Sequence, residues 1–453
     1  MTHTNLLQAL GWKKGLGPED ELFGQKSLPE VHKSIPIPAH FSPWRKMLVF
    51  AGPGFLVAVG YMDPGNWATD LAGGAKFGYT LLTVILISNF FAMLLQHLAL
   101  KLGIVTGRDL AQMCRENFSK PTAIFLWLMA EVMIIACDLA ELLGSAVALY
   151  LLFNIPIIYG VLITAFDVLI ILVLQNKGFR YLEAFIITLI ATIAVIFLGE
   201  IIISSPALIP VLAGFIPTTQ VVFNPEMLYI AIGILGATVM PHNLYLHSAI
   251  VQTRNYEETP KGKKEAIKFA TIDSTFALSL ALFVNAAILI VAAATFHFSG
   301  YQEVADIEEA YKLLSPLLGV SFASILFAVA LLASGQNSTI TGTLAGQIIM
   351  EGFINLKIKP WLRRMITRLI AIVPAVFFIG IYGSSSVTDL LISSQVVLSL
   401  QLSFAVFPLL YFTGNKKIMG EFANSKILSV LAWIIGIIIA ALNLWLLSNI
   451  FFS

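Results

Sequence analysis

The sequence predicts an all-α polytopic membrane protein of about eleven transmembrane helices, and three observations lead there. The 453-residue chain is 58% hydrophobic and 12% charged, with a mean hydropathy of +0.87, far more apolar than a soluble domain of that length. Apolar runs near the ~20 residues that a ~30 Å hydrocarbon core requires recur along the chain. The basic residues fall in alternate loops, as the positive-inside rule demands.

The polar, proline-bearing residues 1–46 are too few for a domain and hold no apolar h-region, so the first hydrophobic helix is expected to act as the insertion signal. The predicted spans run at about Met47–Ala72, Tyr79–Leu102, Thr122–Phe153, Ile157–Leu174, Tyr181–Ile203, Met227–Gln252, Ala270–Phe298, Leu317–Met350, Leu369–Gly383, Val387–Phe412 and Ile427–Phe451. With the N-terminus cytoplasmic, only Lys76 and Lys312 of the 27 basic residues fall outside, and an odd number of spans leaves the C-terminus external. Arg368 counts here as a charge of the inside loop before the ninth span. Glu303, Asp306, Glu308 and Glu309 read as a solvated external loop.

Net charge is +1, which says nothing of partners, and Cys114 and Cys137 give neither a metal-site spacing nor a disulfide framework. No phosphate-binding glycine loop, nucleophile elbow or zinc-hydrolase helix is present, and no loop is long enough for a nucleotide-hydrolysing domain. The chain is therefore not expected to be an enzyme, and any transport must draw on a gradient.

Two stretches break the helical pattern. Asp63-Pro64-Gly65-Asn66 interrupts the first span, and Met240-Pro241-His242-Asn243 interrupts the sixth, with prolines 177 residues and five spans apart. A proline in a helix interior costs ~3 kcal/mol and frees a carbonyl one turn earlier; a carboxylate at the bilayer centre costs about as much again. An odd number of crossings between the copies makes them inverted repeats, and paired interruptions point to a midplane site between two unwound helices. Two independent kinked helices, each with a packed polar cluster, would give the same pattern.

Together the breaks offer the Asp63 carboxylate, the Asn66 amide oxygen, freed carbonyls around Ala237 and the Met240 thioether. Oxygens alone would suit magnesium or calcium; adding a soft sulfur fits a borderline divalent ion such as manganese or iron(II) better. Methionine in a membrane helix is usually packing, and only its place beside the second break gives Met240 a further reading. An amino-acid or other organic-solute symporter of the same architecture would leave a helix N-terminus free for a substrate carboxylate, which Asp63 would repel. An intramembrane enzyme or a receptor is a different class, and the enzyme lacks a convincing dyad.

Glu131, Asp138 and Glu141 lie in the third span, Asp138 and Glu141 on one face. They read equally as a proton route or as a salt-bridge network with Arg254, Arg363 or Arg364. His242 titrates near neutral pH when solvated and stands in the second break; His247, five residues on, makes no neat ligand pair with it. Gln395 in the tenth span offers either an amide oxygen to the same cavity or an interhelical hydrogen bond. Asp167, Asp273, Asn285 and Asn337 receive no role from sequence.

The two break motifs and the third-span carboxylates resemble the Nramp family of proton-coupled divalent metal transporters, of the bacterial manganese-transporter type, from about Trp44 to Phe451. The resemblance implies a LeuT-like fold of inverted five-helix repeats with broken helices 1 and 6. The chain then divides into a cytoplasmic tail (1–46), a first repeat (47–203), an external connection (204–226), a second repeat (227–412), and a cytoplasmic loop with helix 11 (413–453). It implies metal coordination by Asp63, Asn66, Met240 and the Ala237 carbonyl, with Gln395 as a conformation-dependent ligand. It links His242, Glu131, Asp138, Glu141, Arg254, Arg363 and Arg364, together with Asp63, to proton movement. The expectation is a multi-pass plasma-membrane importer of Mn2+, also of Fe2+ and other divalent transition metals, by proton symport. It would have no permanent cofactor and no nucleic-acid partner, and would act as a monomer in the lipid bilayer.

Overall fold

The computed structural model describes residues 27–452 apart from 30, 39, 165, 167–177, 305, 355–359 and 384–386. The first predicted span divides into three helices: Pro43–Phe50, α1 (Pro53–Gly60) and α2 (Pro64–Phe77). Gly52 makes the first division with φ +139°, a value that side chains disfavour, and a Cβ there would lie 2.5 Å from the Glu183 carboxyl carbon. The second division falls at Tyr61–Asp63, where Pro64 withholds the N–H that would bond Gly60.

The chain continues through α3 (Leu82–Thr106), α4 (Lys120–Phe153), α5 (Ile157–Thr164) and α6 (Phe179–Ser204). The sixth span is again two helices, α7 (Pro225–Thr238) and α8 (Pro241–Ile250). Then come α9 (Pro260–Thr295), α10 (Ala323–Ile354), α11 (Pro360–Tyr382), α12 (Val387–Gly414) and α13 (Lys426–Phe452). Among the described residues eight helical stretches are long and apolar enough to cross a membrane. The broken first span escapes that criterion because its pieces are short, and the second half of the predicted fourth span, with Asp167, lies outside the described residues.

Most predicted boundaries hold within about a turn and a half; the starts of the seventh, eighth and ninth spans do not, the ninth beginning at Pro360 rather than Leu369. The seventh span was expected from Ala270, but α9 starts at Pro260 under a Thr259 cap. Its first turns carry Lys261, Lys263, Lys264 and Lys268, so the helix runs on beyond its apolar stretch, where hydropathy alone gives no signal. The eighth was expected from Leu317, but Ile307–Leu318 is a separate helix, ended by Gly319 in the left-handed region. The expected acidic loop supplies its start: the Asp306 carboxylate accepts from the Glu308 N–H at 2.7 Å, and Glu308 and Glu309 stand at the positive end of the helix dipole. Glu308 also pairs with Lys312 and accepts from the Tyr150 hydroxyl.

The two broken helices run in opposite directions. Lys76 at the end of α2 pairs with Glu226 at the start of α7, whereas Arg254 just after α8 bonds to the carbonyls of Phe50 and Ala51 just before α1. The end of the bundle where residues 27–50 lie, here the tail face, also gathers Lys33, Lys46, Lys101, Arg108, Arg180, Lys263 and Lys264, each held by an ion pair or a hydrogen bond. Trp67 anchors α2 edge-on against Phe197 of α6 and Phe327 of α10, at centroid distances of 4.9 and 5.2 Å. Around the outside, α6, α11 and α13 leave large apolar side chains such as Val195, Ile202, Val373 and Ile437 uncovered, a surface suited to hydrocarbon rather than water.

Candidate metal site

The site is built where the two interruptions meet. Asp63 caps α2 and is fully buried: its Oδ1 accepts from the Asn66 backbone N–H at 2.8 Å and from Asn66 Nδ2 at 2.7 Å. The sequence folds this way because Asp is a preferred N-cap and proline is well placed in a first turn. Across the bundle, Pro241 has no N–H to give the carbonyl four residues back, which is that of Ala237. That carbonyl accepts instead from Asn66 Nδ2 at 3.1 Å. One amide nitrogen thus bridges a carboxylate oxygen of the first break and a freed carbonyl of the second.

Gln395 of α12 reaches the same point, with Nε2 3.4 Å from Asp63 Oδ2 and 3.1 Å from Ser394 Oγ. Its approach explains Gly65, where a Cβ would stand 1.7 Å from Gln395 Nε2. Met240, fully buried, caps α8 three residues after Ala237. Asp63, Asn66, Ala237 and Gln395 are therefore joined by direct hydrogen bonds, and Met240 stands on the same unwound turn as Ala237.

Sequence reading left Asn285 without a role. It donates through Nδ2 to the Tyr61 carbonyl at 2.8 Å and to Asn66 Oδ1 at 3.3 Å, so α9 holds both the break and the bridging amide. The free carbonyl of Met62 is likewise taken, by Trp67 Nε1 at 3.3 Å and by the Ser334 hydroxyl. A lone asparagine in an apolar span was the only sequence signal for this supporting shell.

The remaining residues separate into three groups. His242 is buried in the first turn of α8, and neither ring nitrogen has a hydrogen-bond partner among the described residues. His247 contacts Gln96 Oε1 at 2.9 Å, and Gln96 Nε2 donates to the Tyr61 hydroxyl at 2.7 Å. On α4, Glu131 accepts from Trp127 Nε1 at 3.0 Å; Glu141 accepts from Cys137 Sγ at 3.5 Å and lies 3.9 Å from Arg368 Nη2.

Among the described residues the cation that meets α4 is Arg368, which the sequence reading did not name for this role. It is 2% exposed within α11, donates to the Asp138 carbonyl at 3.4 Å and to Thr339 Oγ1 at 2.8 Å, and so is no loop charge. Arg254 is held elsewhere, at the tail face, paired with Glu183 at 2.6 Å. The side chains of Arg363 and Arg364 lie outside the described residues. Asp273, also unassigned from sequence, accepts from the N–H groups of Gly52 and Gly54 and fixes the start of α1.

Among the described residues no three His, Cys, Asp or Glu side chains gather as they would around a resident metal. The groups that converge are a carboxylate and an amide from one broken helix, a carbonyl from the other, oppositely directed one, and an amide from α12, with Met240 on the turn beside that carbonyl. Paired, oppositely directed broken helices of this kind are the architecture of secondary transporters. Residues 54–449 match the model of the Nramp, or natural resistance-associated macrophage protein-like, family, and the chain belongs to it.

Its relatives include the divalent metal cation transporters MntH of Nostoc sp., 64% identical over 93% of this chain and 95% of the relative, and of Listeria welshimeri, 61% identical over 93% and 94%. The crystal structure of the Eremococcus coleocola manganese transporter superposes with a TM-score of 0.88 at 43% identity, covering 94% of this chain and 91% of that one. Mhp1, a nucleobase-cation-symport-1 family transporter, shares the fold alone: TM-score 0.59 at 15% identity, over 87% and 91% of the two chains.

Proposed function

We propose that this chain imports divalent transition-metal ions, Mn2+ foremost and Fe2+ also, by proton symport across the plasma membrane. The observation that carries the reading is the bridge from Asp63 Oδ1 through Asn66 Nδ2 to the Ala237 carbonyl, which brings the oxygens of both breaks to one point. When the ion binds, the Asn66 amide turns its oxygen inward and the ion takes the bridging place of the nitrogen. Asp63 supplies the negative charge and the Met240 sulfur disfavours calcium and magnesium, which prefer all-oxygen shells. Gln395 Oε1, without a partner among the described residues, completes the shell as α12 closes. An organic-solute symporter is less well supported, because the Asp63 carboxylate already occupies the positive end of α2.

For the proton, Glu131, Asp138 and Glu141 stand at i, i+7 and i+10 on α4, one stripe spanning ~15 Å of helix rise. Arg368 beside Glu141 balances that stripe, and His242 offers a second acceptor next to the metal. Metal arriving at Asp63 releases a proton that leaves along the stripe; the Arg254–Glu183 pair serves instead to clamp α1. In this reading the tail face is cytoplasmic, the C-terminus is external, the repeats are residues 47–203 and 227–412, and the chain works as a monomer.

Reconstituted vesicles with a pH dye inside and Mn2+, Mg2+ or Ca2+ outside test the reading. Mn2+ entry should acidify the lumen while Mg2+ and Ca2+ do little. Mn2+ entry without acidification in tight vesicles would remove the coupling, and equal entry of all three ions would remove the proposed role of Met240.

A further inference from the structure

The described residues of 27–38 cross the tail face as a run of turns ending in a short strand, a docking that the sequence reading did not foresee. At one end the Leu28 N–H donates to Glu351 Oε2 at 3.0 Å near the end of α10, and the Leu28 side chain is 3% exposed within the main core. Glu351 is itself held by Gln347 Nε2 and, through its carbonyl, by Arg115. At the other end the Lys33 N–H donates to the Gln252 carbonyl at 2.9 Å, Ile35–Pro36 pairs in parallel with Arg254–Asn255, and the Ile37 N–H donates to the Asn255 carbonyl at 3.2 Å. Lys33 adds an ion pair to Glu258. Ile37 packs beside Phe50, Ile104 and Val251.

The two anchor points belong to different bodies. Gln252 and Arg254 continue directly from α8, the second half of a broken helix, whereas Glu351 ends α10. Beneath the segment the Leu110 N–H donates to Ser248 Oγ at 3.0 Å, and all ten residues of α8 are buried. On the opposite face a cavity of about 390 Å³ opens between Tyr229, Ile230, Ile392 and Ser393. At the tail face a smaller cavity of about 170 Å³ lies between Lys33 of the segment and Gln252, Arg254 and Tyr256, so of these two hollows the larger is at the opposite face.

We propose that the described residues of 27–38 are a strap that holds the tail face shut by tying the exit of α8 to α10 near its end, and that its β-pair, the more exposed of the two anchors, must part before that face opens. The inference rests on the reading of the chain as an alternating-access transporter. Opening moves broken-helix halves against their neighbours, and no such movement can separate α8 from α10 while Leu28 and the β-pair are both seated. The strap adds no group to the metal site, so its release changes how often the face opens and leaves metal affinity alone.

The pairing register supplies the test. Pro36 lies opposite Asn255, and neighbouring strands are ~4.8 Å apart, within disulfide range. In Pro36→Cys/Asn255→Cys, oxidation should lower Mn2+ uptake at least tenfold, reductant should restore it, and each single variant should ignore the oxidant. Mn2+ binding in detergent should be equal in both redox states, which separates the strap from the site: a failed site loses binding in both. The native Cys114 and Cys137 are buried and do not compete. Fully cross-linked protein that transports at the reduced rate overturns the proposal. A second measurement needs no transport. With Ala249→Cys as reporter at the end of α8, removing residues 1–38 should raise labelling by an impermeant thiol reagent at least tenfold over removing residues 1–26. Equal labelling overturns the strap as well.

Discussion

At the scale of single residues, Asn66 does the joining. A side chain with both donor and acceptor ends can hold Asp63 and Ala237 together without an ion and then present oxygen to one. Arg368 shows the opposite lesson. From sequence it was one more basic residue before a span, because hydropathy cannot tell a charge that ends a helix from one buried a few turns inside it. A guanidinium beside Glu141 lowers the cost of a carboxylate in an apolar bundle, and removing one member of such a pair leaves the other charge uncompensated. Arg368→Gln should therefore destabilise the protein by ~3 kcal/mol, and Arg368→Gln/Glu141→Gln should recover part of that loss. Thermal unfolding in detergent checks it; a double variant whose loss is the sum of the singles would show that the two groups do not interact.

Among the elements, the breaks were legible and their supports were not. Asp63-Pro64-Gly65-Asn66 and Met240-Pro241-His242-Asn243 announce themselves because proline and carboxylate are costly in an apolar run and therefore stand out from it. Asn285, Ser334 and Thr339 are ordinary polar residues of long helices, and only three-dimensional contact gives them a task. The extension of α9 and the helix Ile307–Leu318 were missed for a related reason: both are amphipathic or charged, and a search for membrane spans passes over them. The tight meeting of α2 and α12 carries a prediction of its own. Gly65→Ala pushes a methyl into Gln395, and should cut Mn2+ uptake at least tenfold, with Gly65→Ala/Gln395→Ala recovering more than Gly65→Ala alone. No recovery on shortening Gln395 would place the fault in the backbone of the break instead.

At the scale of the whole molecule, the proposed transport needs two inverted broken helices to share one ion. The fold supplies this by direction: α2 ends where α7 begins, and α8 ends where α1 begins, so the two interruptions face each other at mid-height. In the proposed mechanism the α4 stripe serves the proton and the tail-face strap the timing of opening. Such a division lets metal affinity, coupling and gating be altered independently. Calorimetric titration of Mn2+ into wild type, Asp63→Ala and Met240→Ala tests the shared site most directly. Wild type should bind one Mn2+ per chain, Asp63→Ala none, and Met240→Ala one at a site that no longer distinguishes Mn2+ from Ca2+. Stoichiometric Mn2+ binding by Asp63→Ala, or an unchanged preference in Met240→Ala, would contradict the shared site.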